Sequence, residues 1–136
     1  FGLAPGSPFA NMLADCLKAA RKFANALEDS DGFTLWNRPE TDIVCYFPKA
    51  ETAAAVTAAS HALFSELMNK GRASLFLSVY KVPAAEFRRR FPHINTEDDA
   101  PVSLLRSVFM KPSHLDFIPE MMRRLEKGLQ ELSTTP

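Results

Sequence analysis

One permanent cation stands in the middle of a strand-like run, Val102-Ser103-Leu104-Leu105-Arg106-Ser107-Val108-Phe109-Met110-Lys111-Pro112. Counting by twos places Val102, Leu104, Arg106, Val108 and Met110 on one face, so Arg106 is the single charge on an apolar stripe. A guanidinium keeps its proton in a protein, and desolvating it unpaired costs on the order of several kcal/mol, so an anion is expected to meet it. A carboxylate fits the planar fork best, because two parallel N–H···O bonds form at once. Spacing leaves two readings open. Arg106 either closes an internal salt bridge with Asp42, Asp98 or Asp99, or receives the carboxylate of a substrate.

The remaining reactive side chains form no constellation. Cys16 and Cys45 lack metal-ligand spacing and fall on positions that read as buried, so both are expected as reduced core residues. His61, His93 and His114 are scattered without a companion ligand, and no metal is expected. Arg88-Arg89-Arg90, flanked by Phe87 and Phe91, reads as the solvated side of a short helix, and Arg123-Arg124 as the outer face of the last one. Met110, Met121 and Met122 read as core filler. There is no phosphate-cradling glycine loop, no nucleophile elbow and no convincing pair of catalytic carboxylates. None of the lysines sits in a pattern suited to a Schiff base. Taken alone, the chain does not read as a complete enzyme.

The elements that must hold Arg106 are legible in the pattern. Ser7-Pro8 opens a helix expected to run to about Asp29, with Phe9, Met12, Leu13, Cys16, Leu17, Ala20, Phe23, Ala24 and Leu27 on one face. Phe33 to Trp36 and Asp42 to Phe47 read as strands, the second stopped by Pro48. An alanine-rich helix follows from about Glu51 to Lys70, turning Val56, Leu63 and Leu67 inward and capped by Gly71. Ala73 to Tyr80 is a third strand, and Val82-Pro83 opens a short helix through Arg90. The Arg106 strand and a last helix complete the chain, with Ile118, Met121, Met122, Leu125, Leu129 and Leu132 inward and Pro119 expected to kink or delay the helix.

This order implies an α+β two-layer sandwich: a small, mostly antiparallel sheet of three to four strands with helices packed on one face. Residues 1–7 read as a lead-in, 8–132 as a single domain and 133–136 as a tail. If Arg106 lies on the other sheet face, a further domain could complete a pocket over it. The absence of an initiator methionine at Phe1 points to a processed product or a piece of something longer.

Length and composition set outer limits. The 136 residues suffice for one core, and 46% hydrophobic against 24% charged residues is ordinary globular usage. Sixteen basic residues balance sixteen acidic ones, so neither nucleic acid nor an anionic membrane is an expected partner. No apolar run reaches the roughly 18 residues needed to span a bilayer, no signal peptide is evident, and the cytoplasm is the default location.

Several of these residues together resemble a known family. Asp42-Ile43-Val44-Cys45-Tyr46-Phe47, the helix ending at Gly71, the strand Ser74 to Tyr80 and above all Leu104 to Pro112 followed by an acidic helix start look like the C-terminal small domain of group II pyridoxal-phosphate-dependent amino-acid decarboxylases. These are the glutamate, diaminobutyrate and aromatic amino-acid decarboxylases, of the fold-type I class. The resemblance covers most of residues 8–132. It implies a lyase of amino-acid metabolism, working as a homodimer, whose cofactor is held through a lysine Schiff base in an N-terminal domain missing from this chain. It implies that Arg106 faces the active site and serves the carboxylate of an amino-acid substrate, with no catalytic lysine and no cofactor in this part alone. The segment Lys81 to Ala100 departs from the pattern, being longer than the tight connection expected between two strands. The rival reading is a free-standing α+β module that binds an amino acid or mediates association without a cofactor. An RNA-binding version lacks the paired exposed aromatics and basic face it would need.

Overall fold

A computed structural model describes residues 4–69, 77–111 and 113–134. Helix α1 spans Pro8–Asp29, and the Ser7 side chain accepts a hydrogen bond from the Ala10 N–H at 3.1 Å, satisfying one of the free donors of its first turn. Strands β1 (Phe33–Leu35) and β2 (Ile43–Pro48) follow, then α2 (Ala53–Met68), capped by Thr52 through the Ala55 N–H at 3.0 Å. Next come β3 (Leu77–Val82), α3 (Ala84–Arg90), β4 (Val102–Val108) and α4 (His114–Thr134). The expected Gly71 cap, the first residues of the expected third strand and Pro112 lie outside the described residues. Helix α4 runs through Pro119 rather than starting after it.

The sheet order is β1-β2-β4-β3, with every neighbouring pair antiparallel. The chain is therefore an α+β domain with one small four-stranded sheet, as the sequence pattern implied. Alternation along β4 sorts the packing. Ser103, Leu105 and Ser107 point to the layer of long helices, where Phe23 of α1 meets Tyr46 of β2 edge-on at 5.1 Å and His61 of α2 bonds Ser103 at 3.1 Å. Helix α4 packs on α1 and α2 and adds Ile118, Met121 and Leu125 to this core.

The opposite face carries a second cluster that the pattern did not announce. Val102 and Leu104 of β4, Phe47 of β2 and Val82 of β3 are covered at one end of the sheet by Phe87 of α3, Trp36 and Ile94. The long Lys81 to Ala100 segment is thus a half-cover for the second face. Arg90 fastens it. This side chain donates to the Trp36 carbonyl at 3.2 Å and lies 4.7 Å from the Trp36 ring centroid, while the residue as a whole stays exposed. All three arginines of the run are exposed, as expected for the solvated side of a short helix, and Arg88 and Arg89 pair at the surface with Asp99 and Glu86.

Two further expectations change. Phe9 and Leu13 continue the apolar face of α1 but are 44% and 40% exposed, because the helix begins beyond the body of the domain and buries its side chains only from Cys16 onward. Met110 is 64% exposed rather than core, lying past the end of β4, while Met121 and Met122 are buried.

Candidate functional site

Where α3 ends its cover, the second face of the sheet opens around Arg106. Register places Cys45 of β2 on one side of Arg106 and Ser78 of β3 on the other, as Cα partners. Tyr80, Val108, Ile43 and Met110 share that face by strand parity, and of these Ile43, Tyr80 and Met110 are large apolar side chains exposed to water. Arg106 itself is half-buried.

Among the described residues its contacts are few and all neutral. The Nε–H donates to Ser78 Oγ at 3.3 Å, and the guanidinium carbon lies 5.5 Å from the centroid of the Tyr80 ring. Among the described residues no ion pair joins Arg106 to Asp42, Asp98 or Asp99. Asp99 pairs instead with Arg88 at 3.6 Å, the Asp98 carboxylate accepts from the Ala100 N–H at 2.9 Å, and the Asp42 carbonyl accepts from the Phe109 N–H. The internal salt bridge, one of the two readings that spacing allowed, is absent from the described residues.

Cys45 does not supply the missing charge either. Burial pushes its thiol up from the ordinary value, against a downward pull from the Arg106 guanidinium, so it is a neutral thiol at pH 7. Removing Arg106 leaves burial unopposed. In Arg106→Ala the pH midpoint of Cys45 alkylation is expected to move further up, measured from iodoacetamide rates across pH with Cys16 replaced by serine; a midpoint that stays put or falls contradicts the proximity of the two groups.

The other side chains singled out by sequence are not brought here. Both cysteines are free, Cys16 being buried on the inner side of α1. His61 and Ser103 meet on the helix-covered face, His93 sits beside Phe91, and His114 packs against Phe109, so the three histidines do not converge. Among the described residues no group of three metal-ligating side chains occurs. Among the described residues no helix is long and apolar enough to cross a membrane. Sequence reasoning missed Ser78, Tyr80 and Cys45 as neighbours of Arg106. The available signal was the parity of Ser78 and Tyr80 within one strand, which carries no information on which strand stands beside it.

No protein-family model matches the chain, and no curated protein matches it. Among solved structures the fold is similar to Lactobacillus brevis glutamate decarboxylase, with a TM-score of 0.63 at 16% identity over 90% of this chain and 24% of that one. It is also similar to Oryza sativa TDC with PLP and tryptamine, with a TM-score of 0.57 at 18% identity over 88% of this chain and 23% of that one. Mouse CSAD in its apo form gives a TM-score of 0.55 at 15% identity over 85% and 23%. The chain therefore spans about a quarter of the length of the structures it matches. At these identities the likeness is one of fold.

The described residues do not by themselves fit pyridoxal phosphate. Every described lysine is exposed, whereas a Schiff-base lysine needs a desolvated or cation-flanked setting to lose its proton. Among the described residues of the strands, Arg106 is the one cation that parity places on the open part of the sheet, and no glycine-rich run stands beside it.

Proposed function

We propose that this chain is the C-terminal small domain of a pyridoxal-phosphate-dependent amino-acid decarboxylase, and that Arg106 receives the carboxylate of the amino-acid substrate. The observation that carries the reading is a half-buried guanidinium with no anionic partner among the described residues, on the part of the sheet that α3 leaves uncovered. The fold likeness to about a quarter of several decarboxylases supports it, because a piece of that size would meet the rest of its protein across just such a face. The cofactor, its lysine and the groups that hold its phosphate then lie outside these residues, and the part described here is inactive alone.

The role left to this chain is recognition and orientation. A fixed, permanently charged fork that binds a carboxylate in two places sets both the position and the rotation of the substrate. Covering the open face with another domain would expel water from around Arg106 and strengthen that contact. The parent protein is expected to work as a homodimer in the cytoplasm, as the resemblance to group II decarboxylases implies.

Calorimetry of this chain with amino acids and with pyridoxal phosphate, together with the intact mass of the native gene product, tests the reading. A native mass several times that of the chain and no saturable binding by the isolated domain are the expected results. A native mass equal to the chain, with saturable amino-acid binding that Arg106→Ala abolishes, would replace the decarboxylase reading with a free-standing binding module.

A further inference from the structure

A guanidinium can accept a carboxylate along two kinds of edge. Side-on binding uses Nε–H with one Nη group, and end-on binding uses the two Nη groups together. In this domain the side-on edge is already engaged, since Nε–H points to Ser78 Oγ at 3.3 Å. Ser78 is the direct cross-strand partner of Arg106 in the β3–β4 ladder, so the backbone register delivers the hydroxyl to that edge. Tyr80, two residues along the same strand, sets its ring 5.5 Å from the guanidinium carbon. Among the described residues no acceptor is bonded to either Nη group. Cys45, across the other ladder, remains a neutral thiol and offers no competing charge.

From this geometry we infer that Ser78 is a positioning residue for Arg106: by taking the Nε–H it fixes the rotation of the guanidinium and leaves the end-on pair of Nη groups for the carboxylate of an α-amino acid. The role rests on the reading of Arg106 as a carboxylate receptor and adds to it the edge that binds and the residue that sets it. An untethered arginine has several rotatable bonds whose freedom is lost on binding, whereas one already held by Ser78 and Tyr80 loses less. Ser78 acts before the substrate arrives and equally in ground and transition states, so its loss belongs in KM rather than in kcat.

The test is a mutant cycle in the full-length gene product, with carbon dioxide release as the assay. The protein α-amino acids are screened first and the fastest is used as the probe. Ser78→Ala is expected to raise KM by roughly 3- to 10-fold, the worth of one side-chain hydrogen bond, with kcat within about twofold of wild type. Ser78→Thr keeps the hydroxyl on a side chain suited to a strand and is expected to restore KM. In an Arg106→Ala background, Ser78→Ala is expected to change nothing further, because the group it positions has gone. If Arg106→Ala is impaired while Ser78→Ala matches wild type, or if Ser78→Ala costs the same in both backgrounds, the positioning role is overturned and the receptor role of Arg106 stands. If Arg106→Ala matches wild type, or no amino acid releases carbon dioxide, the receptor reading falls and the positioning role falls with it.

Discussion

Replacing Arg106 with alanine in the full-length protein is expected to lower kcat/KM for its amino-acid substrate by roughly 10- to 100-fold, while the bound content of pyridoxal phosphate stays near wild type. The magnitude follows from a charge-assisted, two-point hydrogen bond to a carboxylate, worth about 1.5–3 kcal/mol. The loss is carried by KM and also by kcat, because a substrate held at one point fewer spends less time in the reacting orientation. Arg106→Lys is the informative companion. It keeps the charge but not the planar fork, so recovery of a minor part of the activity is the expected outcome. The cofactor is indifferent because no residue of this chain is expected to touch its phosphate or its lysine. Steady-state constants equal to wild type in Arg106→Ala contradict the role assigned to it.

Phe87→Ala is expected to cost about 3–5 kcal/mol of stability, read as a drop in the urea midpoint at unchanged slope. Phe87 is fully buried, with its ring 5.5 Å from that of Phe47, 5.4 Å from Phe91 and 6.2 Å from Trp36. Helix α3 has 7 residues, too few to persist on intrinsic propensity, so packing holds it in place. Phe87 supplies most of that packing, with Ala84 beside it and Arg90 tied to Trp36. Removing the ring leaves a cavity over Phe47 and Leu104 on the face that also carries Arg106. A loss below about 1 kcal/mol, the level of an ordinary surface substitution, would show that α3 is not an integral cover of that face.

The helices were legible because their apolar residues recur at three and four, and because Ser7-Pro8 marks where the first of them begins. The face of Arg106 was legible too, since period-two alternation within β4 depends on nothing outside that strand. What could not be read was everything set by pairing between distant segments. That β4 inserts between β2 and β3 follows from pairing across distant stretches of chain, 61 residues from Cys45 to Arg106 and 28 from Ser78 to Arg106, and this insertion alone brings Cys45 and Ser78 beside Arg106. Arg90 is exposed as expected, but its contact with Trp36 was illegible for a related reason. Consecutive residues on a helix point in directions about 100° apart, and which of three exposed arginines turns toward Trp36 is fixed only by where α3 docks. Phe9 and Leu13 show the converse. Their spacing continues an apolar stripe without a surface of this domain for it to meet.

Expressing the full-length gene product, reconstituting it with pyridoxal phosphate, and measuring release of labelled carbon dioxide from α-amino acids labelled at the carboxyl carbon decides whether Arg106 serves a decarboxylase. Cofactor-dependent release from at least one amino acid is expected, with Arg106→Ala reduced at least tenfold in kcat/KM at equal cofactor content. Release that is absent from every amino acid, or equal in Arg106→Ala, would contradict that role.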